Sequence, residues 1–112
     1  MDVFVKGDVV VVPFPFSDLS TSKRRPALVI ANASGGDIIL AQITSRNTSD
    51  NLSIAISVDD FSEGGLREMS NVRPNKLFTA ESSIIAYKAG SLKPDKIKAV
   101  TAAIVNLLSP DP

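Results

Sequence analysis

Three stretches of this sequence carry side chains able to grip an anion. Lys23-Arg24-Arg25-Pro26 is the only place where three cations stand together. A guanidinium is a planar fork that meets phosphate in a bidentate way. Pro26 fixes its own φ and biases Arg25 toward an extended conformation, which holds Arg25 at the mouth of a strand. Thr44-Ser45-Arg46-Asn47-Thr48-Ser49 offers five neutral hydrogen-bonding side chains and one charge. Arg73-Pro74 repeats the Arg-Pro pair and is a second candidate phosphate contact. Each stretch also has a plainer reading, as a solvated charge run, a polar turn or a strand end. The acidic residues say less. Asp59-Asp60 reads as a turn rather than a metal pair, and Glu63, Glu68 and Glu81 have no ligand spacing. Gly35-Gly36 and Gly64-Gly65 read as turns, and no glycine-rich phosphate loop is present. Phe14 and Phe16 suit core or loop anchors, with base stacking open to Phe16.

Composition limits the chemistry further. With 112 residues, 44% of them hydrophobic, the chain has enough for one domain and its core. Twelve cations balance twelve anions, so any anion site must be local rather than the product of a global field. The absence of cysteine removes disulfides and thiolate chemistry. The absence of histidine removes the usual general base near neutral pH and the commonest metal ligand. No apolar run is long enough to span a membrane and no signal-peptide pattern opens the chain, so a cytoplasmic protein is expected.

The elements that must position these residues are mostly strands. Asp8–Phe14 reads as a strand buried on both faces, and Ala27–Ala31 as a second. Pro15–Arg24 is a long polar connection, and Pro15–Ser22 is the part expected to move on binding. A glycine turn leads to a third strand, Ile38–Thr44. Leu52–Val58 alternates as a fourth. Asn71–Phe78, interrupted by Pro74, suits an edge or bulged strand, and Ser83–Tyr87 a last short one closed by Lys88-Ala89-Gly90. Pro94–Leu108 is the one helix, with proline at its start, Asp95 in its first turn, and Ile97, Val100, Ile104 and Leu107/Leu108 on one face. The expected architecture is mainly β: a small, strongly curved antiparallel sheet or barrel with a C-terminal helix over its open face. If strands two and three form a hairpin centred near residue 35, Arg25 and Thr44 lie at the same end of it.

The run Lys6-Gly7-Asp8-Val9-Val10, followed by Arg25-Pro26-Ala27-Leu28-Val29-Ile30, resembles the N-terminal signature of the MazF/PemK toxins. These are the toxin halves of type II toxin–antitoxin pairs. Leu40-Ala41-Gln42-Ile43-Thr44-Ser45 is similar to the family's second block, and the order of elements from Ser70 onward fits the rest. The resemblance implies an SH3-like β-barrel, usually a homodimer, acting as a metal-independent, sequence-selective endoribonuclease on single-stranded RNA. It implies a cognate antitoxin partner and no cofactor. The family's catalytic pair matches Arg25 and Thr44, with Lys23, Arg24, Ser45, Arg46 and Arg73 as RNA-binding candidates. One run departs from the pattern: Phe78-Thr79-Ala80-Glu81 stands where typical members carry Arg-Thr-(apolar)-Asp.

Metal-free cleavage would use the RNA's own 2′-hydroxyl, with Arg25 stabilising phosphorane charge and Thr44 fixing geometry. The general base is open; Asp18 and Glu81 are the carboxylates in question. The alternative is a non-catalytic barrel of the same shape that binds RNA or antitoxin, or poisons gyrase by protein contact. The Arg25/Thr44 pair favours the nuclease. A peptide-binding SH3-like module would call for an aromatic-rich groove, and this chain is 5% aromatic with no tryptophan.

Overall fold

The β-branched run Val9–Val12 is buried throughout, and the strand around it, β1 (Asp8–Phe14), lies near the middle of one antiparallel sheet. A computed structural model describes residues 3–14, 23–46 and 51–110. The other strands are β2 (Lys23–Asn32), β3 (Asp37–Thr44), β4 (Ile54–Ile56), β5 (Phe61–Gly64), β6 (Ser70–Glu81) and β7 (Tyr87–Leu92). Their order across the sheet is β4-β6-β3-β2-β1-β7-β5. The sheet curls into a half-barrel. Its two end strands, β4 and β5, are joined by residues 57–60 alone, so the chain itself closes the curl.

Alternation along the strands sorts the core into two clusters. Val9, Leu28, Ala41, Ile43 and Val72 point to one face, where Val100 and Ile104 of helix α1 (Pro94–Leu108) cover them. Val10, Val12, Ala27, Val29, Ile38 and Leu40 point to the other, beneath Phe4 and Ala80. The continuous apolar runs thus reflect burial on both sides, as expected for β1.

Several boundaries differ from expectation, each for a local reason. β2 starts at Lys23 rather than Ala27, because β1 pairs with it as far as Phe14↔Lys23. The fourth strand shrinks to Ile54–Ile56: Leu52 is exposed, and Val58 enters a tight turn. β5 has one buried apolar residue, Phe61, which leaves little periodicity to read. β6 is no edge strand. It pairs with both β3 and β4, and Pro74 falls where its register with β3 shifts, which is the bulged option. The segment Ser82–Ile84 is a 3-10 turn, and the last strand is Tyr87–Leu92, running through Gly90. A Cβ at Gly90 would sit 2.6 Å from the Glu63 carbonyl oxygen, so glycine here permits close strand approach rather than ending a strand. On α1, Leu107 and Leu108 are exposed, so the buried face ends at Ile104.

Two polar devices hold the curl. Asp8, the buried first residue of β1, accepts hydrogen bonds from the Val5 amide (3.0 Å) and the Ser91 hydroxyl (3.0 Å). Lys88 bridges Asp8 (3.4 Å) and Glu63 (2.8 Å), tying β1, β7 and β5 together. The Ser57–Asp60 turn is a capping box, with the Ser57 amide donating to Asp60 Oδ2 at 2.8 Å. Lys96 of α1 reaches Asp60 (3.6 Å) and the Ala55 carbonyl (3.1 Å). Asp59-Asp60 is therefore a turn that fastens the closing corner to the helix.

The Gly7-Asp8 pair has a physical reason as well. Gly7 has φ +99°, and a Cβ there would run into the Ile97 side chain. Gly7→Ala is expected to cost about 1–3 kcal/mol in urea unfolding. The Ser57 amide bond, with help from Lys96, holds the Asp60 carboxyl below its ordinary 3.8. The folded chain therefore binds that proton less tightly than the unfolded chain, and the stabilisation is complete at neutral pH. Asp60→Ala should lose about 1 kcal/mol at pH 7. The difference from wild type should fade as pH falls below 3.8 and through the lower folded value.

Candidate active site

The β2–β3 register decides which residues meet. Ala27 lies opposite Gln42 and Leu28 opposite Ala41. Two residues further out, the same count puts Arg25 opposite Thr44. The pairing of β2 with β3 stops at Ala27, whereas the pairing with β1 runs unbroken through Val11↔Pro26 to Phe14↔Lys23. An intact ladder across Pro26 on the β1 side requires its nitrogen, which has no hydrogen, to face β3. There the ladder ends and the two strands part. Arg25 remains fixed on its other side by Val12↔Arg25.

Parity fixes direction. Arg25 shares the face of Ala27 and Val29, and Thr44 shares that of Ile38 and Leu40. Both lie on the face away from α1. A cleft of about 270 Å³ opens there, lined by Arg25, Gln42, Thr44, Arg46, Arg73 and Phe78, with Val12, Pro26 and Ile43 beside them. A second, of about 430 Å³, adjoins it. It shares Arg25, Pro26, Ile43, Thr44 and Arg46 and adds Arg24, Ser45, Leu66, Arg67, Glu68 and Ser70.

Thr44 is half-buried, and its Oγ1 accepts a hydrogen bond from the Arg46 amide at 3.2 Å. The hydroxyl proton then remains available to an incoming acceptor. Asn71, opposite Thr44 on β6, donates from Nδ2 to the Arg46 carbonyl at 3.2 Å. These bonds turn the chain sharply after β3 and carry Arg46 to the junction of the two clefts.

The electrostatics are uneven for a neutral protein. The chain has five arginines, at 24, 25, 46, 67 and 73, and all line one cleft or the other. None of its seven lysines does. Glu68 is the one carboxylate at either cleft among the described residues. The first cleft presents guanidinium, amide and hydroxyl groups, a set of donors suited to an anion. Among the described residues, no three of His, Cys, Asp and Glu converge as metal ligands would.

The site residues expected from sequence fall into place unequally. Arg25, Thr44, Arg46 and Arg73 meet at the first cleft, while Arg24 and Ser45 line the second. Lys23 is exposed at the start of β2 and lines neither. The sequence assigns Arg24 to the Pro15–Arg24 connection and starts the second strand at Ala27, but Lys23 and Arg24 are both in the β2 ladder, opposite Phe14 and Pro13. Glu81 pairs with Asp37, at the far end of β3 from Thr44. Seven residues of strand separate them, roughly 23 Å, so Glu81 is no base for this site. Asp18, Phe16 and the Pro15–Ser22 segment lie outside the described residues, as do Asn47, Thr48 and Ser49.

Gln42, Phe78, Asn71, Arg67 and Glu68 join the site without having been expected there. Gln42 had a signal, since it stands two residues before Thr44 on the same strand and so on the same face. Arg67 and Glu68 precede β6 in an irregular stretch, and only the curl of the sheet brings them near.

No curated protein sequence matches the chain significantly. Among solved structures, a MazE–MazF complex from Deinococcus radiodurans has a chain that superposes with a TM-score of 0.77 at 19% identity. It covers 98% of this chain and 100% of that one. An endoribonuclease in complex with its cognate antitoxin, from a mycobacterial species, gives 0.74 at 15% identity, with 100% of each chain covered. The Mycobacterium tuberculosis toxin MazF-mt6 gives 0.69 at 19%, covering 93% of this chain and 98% of that one. At these identities the likeness establishes the fold. The model of the PemK-like, MazF-like toxins of type II toxin–antitoxin systems matches residues 5–108, and the chain belongs to that family.

Proposed function

We propose that this toxin is a metal-independent endoribonuclease that cuts single-stranded RNA at the Arg25–Thr44 pair. The observation that carries the reading is that β2–β3 register and strand parity put both side chains on one face, in a cleft lined by Arg46 and Arg73 as well. The 2′-hydroxyl attacks the adjacent phosphorus, and the bond to the 5′-oxygen breaks. The products are a 2′,3′-cyclic phosphate and a free 5′-hydroxyl. The proton lost by the 2′-hydroxyl is balanced by the one gained at the leaving oxygen. Arg25 neutralises the charge that develops on the phosphorane oxygens and donates toward the leaving oxygen. Thr44 donates its hydroxyl proton to a nonbridging oxygen, while its Oγ1 accepts from the Arg46 amide. Arg46 and Arg73 hold flanking phosphates, and Arg24 and Ser45 extend the track into the second cleft.

The family and the charge distribution support two further parts of this reading. A cognate antitoxin with an acidic segment would fit the arginine-lined clefts and exclude RNA by occupying them. The toxin acts as a homodimer in the cytoplasm. No helix among the described residues is long and apolar enough to cross a membrane.

Arg25→Ala should lower the cleavage rate by about 10²–10³-fold or more with an unchanged far-UV spectrum. A folded variant cutting at the wild-type rate would remove Arg25 from the mechanism. An all-deoxy oligonucleotide of the same sequence should stay intact, and EDTA should leave the rate unchanged. Binding to uncut single strands should weaken with salt, and each of Arg46→Ala and Arg73→Ala should reduce the log–log slope by about 0.7.

A further inference from the structure

The two clefts meet across Arg25, Thr44 and Arg46, and they reach that junction from different sides. Arg25 and Thr44 take the face away from α1, whereas Ile43 belongs to the cluster that α1 covers. The second cleft is lined by all three, so it passes round the open end of the β2–β3 fork. Its other wall is Leu66, Arg67, Glu68 and Ser70, on the way into β6. Ser70 anchors that wall. It is buried, pairs with Ile56, and donates its hydroxyl to the Glu68 carbonyl at 3.1 Å. The Glu68 side chain is exposed, and Arg24, Arg25, Arg46 and Arg67 line the same space. A carboxylate that served only to balance their charge would pair with one of them. Glu68 forms no ion pair among the described residues.

We propose that Glu68 is the general base that takes the proton from the attacking 2′-hydroxyl. The proposal rests on the nuclease reading above and adds the group that reading leaves open. The chain has no histidine, and no lysine lines either cleft. A guanidinium has no acceptor to offer. Glu68 is the one carboxylate at the clefts among the described residues. Its place on the second cleft also suits the geometry of the reaction. In-line displacement sets the attacking and leaving oxygens on opposite sides of phosphorus. A phosphate held at the junction by Arg25, Thr44 and Arg46 has one flanking ribose in each cleft. The ribose in the second cleft turns its 2′-hydroxyl to Glu68, and the leaving 5′-oxygen departs on the side of the first. The 2′ O–H bond breaks, its proton passes to the Glu68 carboxylate, and its electron pair forms the new bond to phosphorus. The bond from phosphorus to the 5′-oxygen breaks, and that oxygen takes a proton from Arg25. Glu68 then returns a proton to Arg25 through water, so both groups end as they began.

The test uses the full chain with Glu68→Gln, which keeps the size of the side chain and removes its basicity. Because Glu68 is exposed, the variant should fold with an unchanged far-UV spectrum. Its kcat should fall by about 10²–10⁴-fold. Its binding to a strand that is 2′-deoxy at the cut nucleotide should be no weaker than wild type. Wild-type kcat/KM should fall toward acid pH as the base takes up a proton, and Glu68→Gln should lose that acid limb. A substrate with sulfur in place of the leaving 5′-oxygen releases its leaving group without a proton. On it the Glu68→Gln loss should persist, while the Arg25→Ala loss shrinks. Several results would overturn the assignment and leave the nuclease reading standing. They are cleavage by Glu68→Gln at the wild-type rate, tighter binding with unchanged kcat, a loss that recovers on the sulfur substrate, and an acid limb that survives in Glu68→Gln or disappears in Asp18→Asn instead. A wild-type protein that cuts no RNA would overturn the nuclease reading, and this base with it.

Discussion

A missing hydrogen organises the end of the sheet where the two clefts open. Pro26 has no N–H to give β3, so the β2–β3 ladder stops just where Arg25 and Thr44 come level. A residue with an amide hydrogen there could extend the ladder and bring the strand ends together. The β1 ladder on the other side of β2 still runs to Lys23, so parting from β3 does not loosen Arg25. One imide nitrogen thus opens a cleft while a continuous ladder holds its wall. The Thr44 side is secured independently, through the turn to Arg46 and the Asn71 bond to it. Both walls are backbone-ordered before any ligand arrives, which is what stabilisation of a short-lived charge requires.

Net charge gave no hint of this. With twelve charges of each sign, the chain has no long-range pull on a polyanion. The asymmetry is in residue type and place, with arginines at the clefts and lysines elsewhere. Lys88 and Lys96 do structural work, bridging Asp8 and Glu63 in one case and reaching Asp60 in the other. Guanidinium and ammonium are not interchangeable here. The first grips a phosphate in a fixed plane, and the second is a point charge on a flexible stem.

The sequence made much of the scaffold legible. β1 and α1 appear with the expected bounds, because one is a β-branched run and the other has clear start and stop residues. The hairpin that places Arg25 level with Thr44 was readable from the glycine turn and a symmetric count. What stayed hidden depended on pairing. β2 gains four residues at its start from β1. Gly90 looks like a strand end and is instead a point of close approach. β6 looks like an edge because of Pro74, yet its neighbours tolerate the proline at a register shift. At the site, continuous apolar strands concealed which face each residue takes, so Phe78 gave no sign of sharing a cleft with Arg25, and Gln42 was readable only through its spacing of two from Thr44. Glu81, near Thr79 and Phe78 in sequence, fell at the wrong end of β3 for the same reason.

The clustering of guanidiniums is itself informative about selection. A surface tuned only for folding interleaves signs, because like charges held together raise the energy of the folded state. Here five arginines share two adjoining clefts with a single described carboxylate, Glu68. The stability that tolerates this lies elsewhere. The Asp60 corner and α1 fasten the curl, and α1 covers the face opposite the first cleft. Because the two core clusters sit on opposite faces of one sheet, residues in the cleft can be chosen for an anion without repacking the helix side. Repulsion at the empty site and packing behind it are thus separable. On the reading proposed above, a bound polyanion relieves the first.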